Sequence, residues 1–86
     1  MKLLKFSATW CGPCKMQATE FKENPLDIEV EEINIDTNEN ELISKYNVRS
    51  IPTMVLVDDE GNELSRWIGF TKSDIIKECI DVHNNT

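Results

Sequence analysis

The spacing of apolar residues divides the chain into short blocks of changing period. Lys2 to Ser7 is apolar-rich and runs into a Thr-Trp-Cys-Gly-Pro turn, which predicts a buried strand. From Cys14 to about Asn24 the spacing becomes helical, with Met16, Ala18 and Phe21 as the expected inward positions. That helix should stop before Pro25, because the residue preceding a proline is pushed out of the α region. Ile28 to Ile35 reads as a second strand. Strand, helix and strand together make a βαβ unit, whose strands are expected to be parallel with a right-handed crossover.

Asp36-Thr37-Asn38 predicts a turn that caps a short helix from about Glu39 to Tyr46. Thr53 to Asp58 is the next expected strand. Asp59-Glu60-Gly61-Asn62 reads as a hairpin turn, after which Glu63 to Ile68 returns antiparallel. Gly69 breaks that strand. Ser73 or Thr71 is the expected cap of a last helix, with Ile75, Ile76, Cys79 and Ile80 on its apolar face. The order β-α-β-α-β-β-α makes an α/β fold with a mixed four-stranded sheet and helices on its faces.

Composition narrows the function classes. Eighty-six residues make one domain, 1–86, with a thin core, since a chain this short buries only about 60–65% of its unfolded surface. Hydrophobic residues at 40% and charged ones at 29% are globular proportions. Asp and Glu number 16 against 9 Lys and Arg, so the net charge of −7 repels phosphate backbones and anionic lipid. Nucleic-acid and membrane partners are therefore not expected. No apolar run approaches the ~18 residues that span a bilayer, and the start Met1-Lys2-Leu3-Leu4-Lys5-Phe6 lacks the pattern of a signal peptide. A cytoplasmic monomer is the expectation.

Three cysteines, Cys11, Cys14 and Cys79, are too few and too uneven for a secreted disulfide scaffold and favour a reducing compartment. Cys11 and Cys14 form a C-x-x-C, which by itself is open between a metal knuckle and a redox pair. A zinc set could formally be completed by Cys79 and His83, spaced i, i+4, but zinc needs all four ligands together and the last helix is expected away from the motif. Cys79 reads as a small apolar core residue and His83 as a complement to a helix C-terminus.

Trp10-Cys11-Gly12-Pro13-Cys14-Lys15 after a strand, with Ser50-Ile51-Pro52-Thr53 before a later one, resembles the thioredoxin family. The likeness extends through Ile33-Asn34-Ile35-Asp36, Tyr46-Asn47-Val48-Arg49, Gly61 and Gly69. It implies a minimal thioredoxin fold with strand order 2-1-3-4, and a thiol–disulfide oxidoreductase that reduces protein disulfides and is recharged by a thioredoxin-reductase-like donor. The cofactor would be none beyond a redox-active Cys11–Cys14 disulfide. Cys11, at the mouth of the helix, would be the accessible nucleophile, because unpaired backbone N–H groups and the helix dipole favour a thiolate there. Cys14, one turn in and more buried, would resolve the mixed disulfide. Gly12-Pro13 would stiffen the loop between them. Pro52 is implied to follow a cis bond beside the pair, and Trp10, Ile51, Gly69 and Phe70 to form the recognition surface.

Three departures from the family accompany the likeness. The strand and helix that usually precede the segment matching Lys2–Ser7 have no counterpart in these 86 residues, and Ile28–Ile35 is therefore expected to be an edge strand guarded by Glu29, Glu31 and Glu32. Thr19 stands where a helix proline is usual. The family's buried aspartate falls on Lys5, and its partner lysine on Glu32, so the pair is inverted; Lys5 and Glu32 are expected to interact beneath Cys14, one of them relaying its proton. Two other functions compete. A glutaredoxin-like protein would seat a glutathione carboxylate at the start of the last helix. A docking subunit would use Trp10, Ile51 and Phe70 without redox turnover.

Overall fold

A computed structural model describes residues 1–37 and 40–84. The elements are β1 (Lys2–Ser7), α1 (Gly12–Glu23), β2 (Glu29–Asn34), α2 (Asn40–Lys45), β3 (Thr53–Val57), β4 (Glu63–Ile68) and α3 (Ser73–Asn84). They form one four-stranded sheet in the order β2-β1-β3-β4. β1 pairs parallel with β2 and antiparallel with β3, and β3 pairs antiparallel with β4. The expected cap at Asn38 and helix start at Glu39 lie outside the described residues.

Strand composition follows position in the sheet. The central strands β1 and β3 are buried along nearly their whole length, while β2 and β4 at the edges are half open. Because side chains alternate across a strand, β1 feeds two cores. Leu4 and Phe6 join Ile33, Val55 and Val57 beneath Leu42, Ile43 and Tyr46. Leu3 joins Met54 and Leu56 beneath Phe21, Ile76 and Ile80. The sheet is thus covered by α2 on one face and by α1 and α3 on the other.

Helix phases differ from the sequence reading. α1 begins at Gly12, two residues early, and its buried face carries Cys14 and Gln17, whereas Met16 and Ala18 point to solvent. The phase is set by Cys14: positions three and seven further on, Gln17 and Phe21, fall on the same face as an inward Cys14, and Met16 falls opposite. Gln17 is fully buried and polar, and it is satisfied. Its Nε2 donates to the Thr71 carbonyl and its Oε1 accepts the Thr71 N–H, both at 2.8 Å.

On α3, Ile76 and Ile80 are buried and Cys79 is half-buried against them, but Ile75 is exposed because it precedes the buried stripe by one position. Neither proposed hydroxyl caps this helix. Thr71 donates its hydroxyl to the Gly69 carbonyl, and the buried Ser73 Oγ has no hydrogen-bond partner among the described residues. The Ser73 N–H instead donates to the Glu20 carboxylate at 2.9 Å, so a side chain of α1 supplies the anion that a helix N-terminus favours. The residues around Gln17 and Glu20 thereby fix α1 to the start of α3.

The β3–β4 turn is organised by Asp58. Its Oδ1 accepts the N–H groups of Glu60 and Asn62, each at 2.9 Å, and Gly61 takes φ +85°. A Cβ on Gly61 would lie 3.2 Å from Lys45 Nζ, and its carbonyl accepts the Tyr46 hydroxyl at 2.6 Å, so the turn is also anchored to the end of α2. The Asn62 backbone N–H chiefly holds the Asp58 carboxyl below its ordinary value, with burial opposing and the Asn62 amide and Glu60 N–H assisting.

Two outcomes are expected. Gln17→Leu leaves the Thr71 N–H and carbonyl without their partner, and should lower stability by roughly 1–3 kcal/mol, read as a lower urea midpoint at unchanged slope. The lowered Asp58 pKa means that the turn's contribution is present above the ordinary carboxylate range and is lost as pH falls through the folded value. Asp58→Ala should therefore show a shallower loss of stability on the acid side than the wild type in denaturation series run from neutral to strongly acidic pH.

Candidate active site

β1 ends at Ser7 and the chain turns at once into α1. The Cys11 N–H donates to the Ala8 carbonyl at 3.2 Å, closing that turn. Cys11 is the N-cap of α1, with extended φ −92° and ψ 113°, and its Sγ accepts the Cys14 N–H at 3.2 Å. A sulfur therefore occupies the place usually taken by a capping oxygen. Pro13 lies in the first turn, where a missing N–H costs no helix bond, and that turn carries no acidic residue. Cys11 and Cys14 are joined as a disulfide, with their Cα atoms 5.2 Å apart. An amide that holds a neutral sulfur here would hold a thiolate more strongly after reduction.

The pair is set in apolar surroundings: Ala8, Cys11 and Cys14 form a small cluster against Ile35 and Ile51. Cys14 is 3% exposed and Cys11 6%, so the sulfur expected to stand open is nearly closed over in this oxidised form. Its cap bond to Cys14 N–H and its place in the cluster with Ala8 and Cys14 turn it toward the protein. The Ile51–Pro52 bond is cis, and Pro52 is fully buried. Gly69, at φ +87°, donates its N–H to the Pro52 carbonyl at 2.8 Å, which brings the end of β4 and the following Phe70 to the same side. Gly12 has open space around it.

Trp10 is 66% exposed, yet its indole is fixed: Nε1 donates to Asp36 Oδ2 at 2.6 Å. Phe70 is also exposed. A groove of about 370 Å³ runs between Trp10, Ile35, Ile43, Val48 and Ile51, with Arg49 as its charged member. Trp67, by contrast, is half-buried and packs against the core cluster that holds Ile76 and Ile80.

Beneath Cys14 lies a cavity of about 530 Å³, lined by Lys5, Ser7, Cys14 and Glu32 among others. Lys5 and Glu32 are register partners on β1 and β2. Lys5 Nζ approaches Glu32 Oε1 at 3.4 Å, and the same oxygen accepts the Ser7 hydroxyl at 3.0 Å. The two side chains are unequal: that of Lys5 is 5% exposed and that of Glu32 64%. The inverted pair thus meets, with its cation inside and its carboxylate at the surface. A cavity of similar size, about 510 Å³, opens among Lys2, Glu31, Tyr46 and Asp59 and touches neither cysteine.

The alternative metal set is not assembled. Cys79 packs with Ile76 and Ile80 in a different cluster from Cys11 and Cys14, and among the described residues no group of three His, Cys, Asp or Glu is placed to hold a metal ion. Ser7, Asp36 and Gln17 join the site or its support although the sequence reading gave none of them a site role. Ser7 carries a usable signal, since it shares Lys5's face of β1 two positions on; Asp36 and Gln17 depend on contacts with residues distant in the chain.

Comparisons with known proteins agree with this geometry. The thioredoxin family model matches residues 1–82. A thioredoxin of Staphylococcus aureus is 37% identical over 86 aligned residues, covering 96% of this chain and 82% of its own. Among solved structures, thioredoxin-2 of a malaria parasite superposes with a TM-score of 0.80 at 32% identity, over 95% of this chain and 82% of that one. A mutant thioredoxin from Halobacterium salinarum gives 0.81 at 35% identity, over 94% and 72%. No helix among the described residues is long and apolar enough to cross a membrane.

Proposed function

This chain belongs to the thioredoxin family, and on that premise we propose how its own residues carry out thiol–disulfide exchange. It is a thiol–disulfide oxidoreductase, a disulfide reductase of thioredoxin type. Thioredoxins work through their own active-site disulfide rather than a bound cofactor. In the cycle, the Cys11 thiolate attacks one sulfur of a target disulfide. A Cys11–target S–S bond forms, the target's own S–S bond breaks, and the departing thiolate takes a proton. Cys14 then gives up its proton and attacks the Cys11 sulfur. The Cys11–Cys14 bond forms, the remaining target thiolate leaves, and the target has gained the two electrons the pair has lost. A reductase returns them.

The observation that carries this reading is the cap: the Cys14 N–H directed at Cys11 Sγ, in a helix turn without acidic residues, supports an ionised Cys11. Gly12 and Pro13 keep that turn in shape. The tethered Trp10, Ile51 beside the cis Pro52, and the Gly69–Phe70 segment supply the surface on which an extended target strand lies. Lys5 and Glu32 serve the second step: Glu32, open to water and bonded by Ser7, takes up the Cys14 proton through the cavity they share, and Lys5 holds the carboxylate there. Disulfide-containing proteins are the substrates, met by a monomer in a reducing, cytoplasmic setting. Glutathione use is less favoured, because the Glu20 carboxylate already takes the Ser73 N–H at the start of α3.

The test is insulin disulfide reduction driven in parallel by NADPH with thioredoxin reductase and by glutathione with its reductase. Turnover is expected in the first arm, with Cys11→Ser lowering it roughly a thousandfold or more and Cys14→Ser accumulating a mixed disulfide. Turnover with glutathione alone would overturn the proposed recharging route, and full function in the double serine variant would leave a docking subunit. The same assay across neutral and alkaline pH on Lys5→Met should give a displaced pH profile; an unaltered one ends the relay.

A further inference from the structure

Lys5 is an ionisable group on a central strand, between Glu32 of β2 and Met54 of β3, and its side chain is almost wholly withdrawn from water. The charged residues lining the cavity it shares with Cys14 are Lys5, Lys15 and Glu32. Glu32 is a poor counterweight. Its side chain is 64% exposed, so water screens it, and its nearer oxygen is 3.4 Å from Nζ while also accepting from Ser7. A buried cation with an incomplete partner is costly and is relieved by any further negative charge that forms close by. Reduction of the disulfide forms such a charge, because a thiolate appears where two neutral sulfurs stood.

Building on the proposed cycle, we propose that Lys5 is a positioning residue for the dithiol–disulfide equilibrium: its buried ammonium stabilises the thiolate of reduced Cys11–Cys14 and so makes the pair a stronger oxidant than an uncharged residue at this position would. The coupling is reciprocal, since whatever the ammonium contributes to the thiolate the thiolate contributes to the buried ammonium. Stabilising the reduced form raises the potential of a dithiol couple. The balanced reaction is oxidised protein plus reduced dithiothreitol giving protein with one thiol and one thiolate, a released proton, and cyclic oxidised dithiothreitol. Two electrons pass from dithiothreitol to the protein.

The experiment equilibrates the full chain with dithiothreitol buffers and counts free thiols by alkylation and mass shift, with circular dichroism confirming the fold. At pH 7, Lys5→Met should lower the reduction constant at least threefold, about 14 mV at roughly 30 mV per tenfold. The offset should widen at pH 8 and shrink as the pH is lowered and the thiolate takes up its proton. Lys5→Arg should keep the wild-type value, and Glu32→Gln should equal or exceed it. An offset that is absent or constant with pH overturns the inference, as does a fall in Glu32→Gln matching that of Lys5→Met. These failures are separate from failure of the cycle itself, which would appear as a wild-type pair unable to equilibrate as a two-electron couple.

Discussion

One contact organises the site: an amide of the first helical turn pointing at the sulfur of the residue that caps it. A helix leaves its first N–H groups without partners, and here one of those donors is met by a side chain that can also break and form covalent bonds. Everything nearby keeps that geometry. β1 must end at Ser7, the Ala8 carbonyl must turn the chain back through the Cys11 N–H, and no carboxylate enters the turn. The same backbone donor suits a neutral sulfur in the disulfide and a charged one after reduction, so the helix need not rearrange between states.

Holding such a cap in place takes more than one thin core. α1 contributes little apolar surface, and its inward positions include a glutamine. It is fixed instead by polar ties of high specificity, Gln17 to the Thr71 backbone and Glu20 to the Ser73 N–H, which locate it against α3 as well as against the sheet. On the other side of the disulfide, the Gly69 N–H on the Pro52 carbonyl ties β4 to the loop before β3. The cysteines thus sit where three segments distant in sequence are bonded to one another.

Much of this was legible in the chain itself. The four strands appear within two residues of their expected ends, because alternation, Pro25, Gly61 and Gly69 each act locally. The two cysteines follow from the motif, while Pro52 and the meeting of Lys5 with Glu32 are what the family resemblance implies. What was not legible depended on phase and on long-range polar partners. Met16 and Ala18 are apolar yet face water, since the inward direction of Cys14 dictates the helix's rotation, and Gln17 is buried because Thr71 answers both of its polar atoms. Ser73 and Thr71 have capping side chains, but a carboxylate from another helix takes the task.

The outer side of β2 pairs with no strand among the described residues, and it carries Glu29, Glu31 and Glu32, of which Glu31 is engaged by Lys2 at 2.7 Å. Two such edges brought together would set like charges opposite each other, and mutual repulsion keeps copies apart while those carboxylates are ionised and ionic strength is low. Concentrated salt, which shrinks the reach of that repulsion to a few ångströms, or acid, which erases it, turns the same border into an open template for lateral stacking. One of the carboxylates that keeps copies apart, Glu32, also lines the cavity beneath Cys14, so edge protection and sulfur chemistry share a residue.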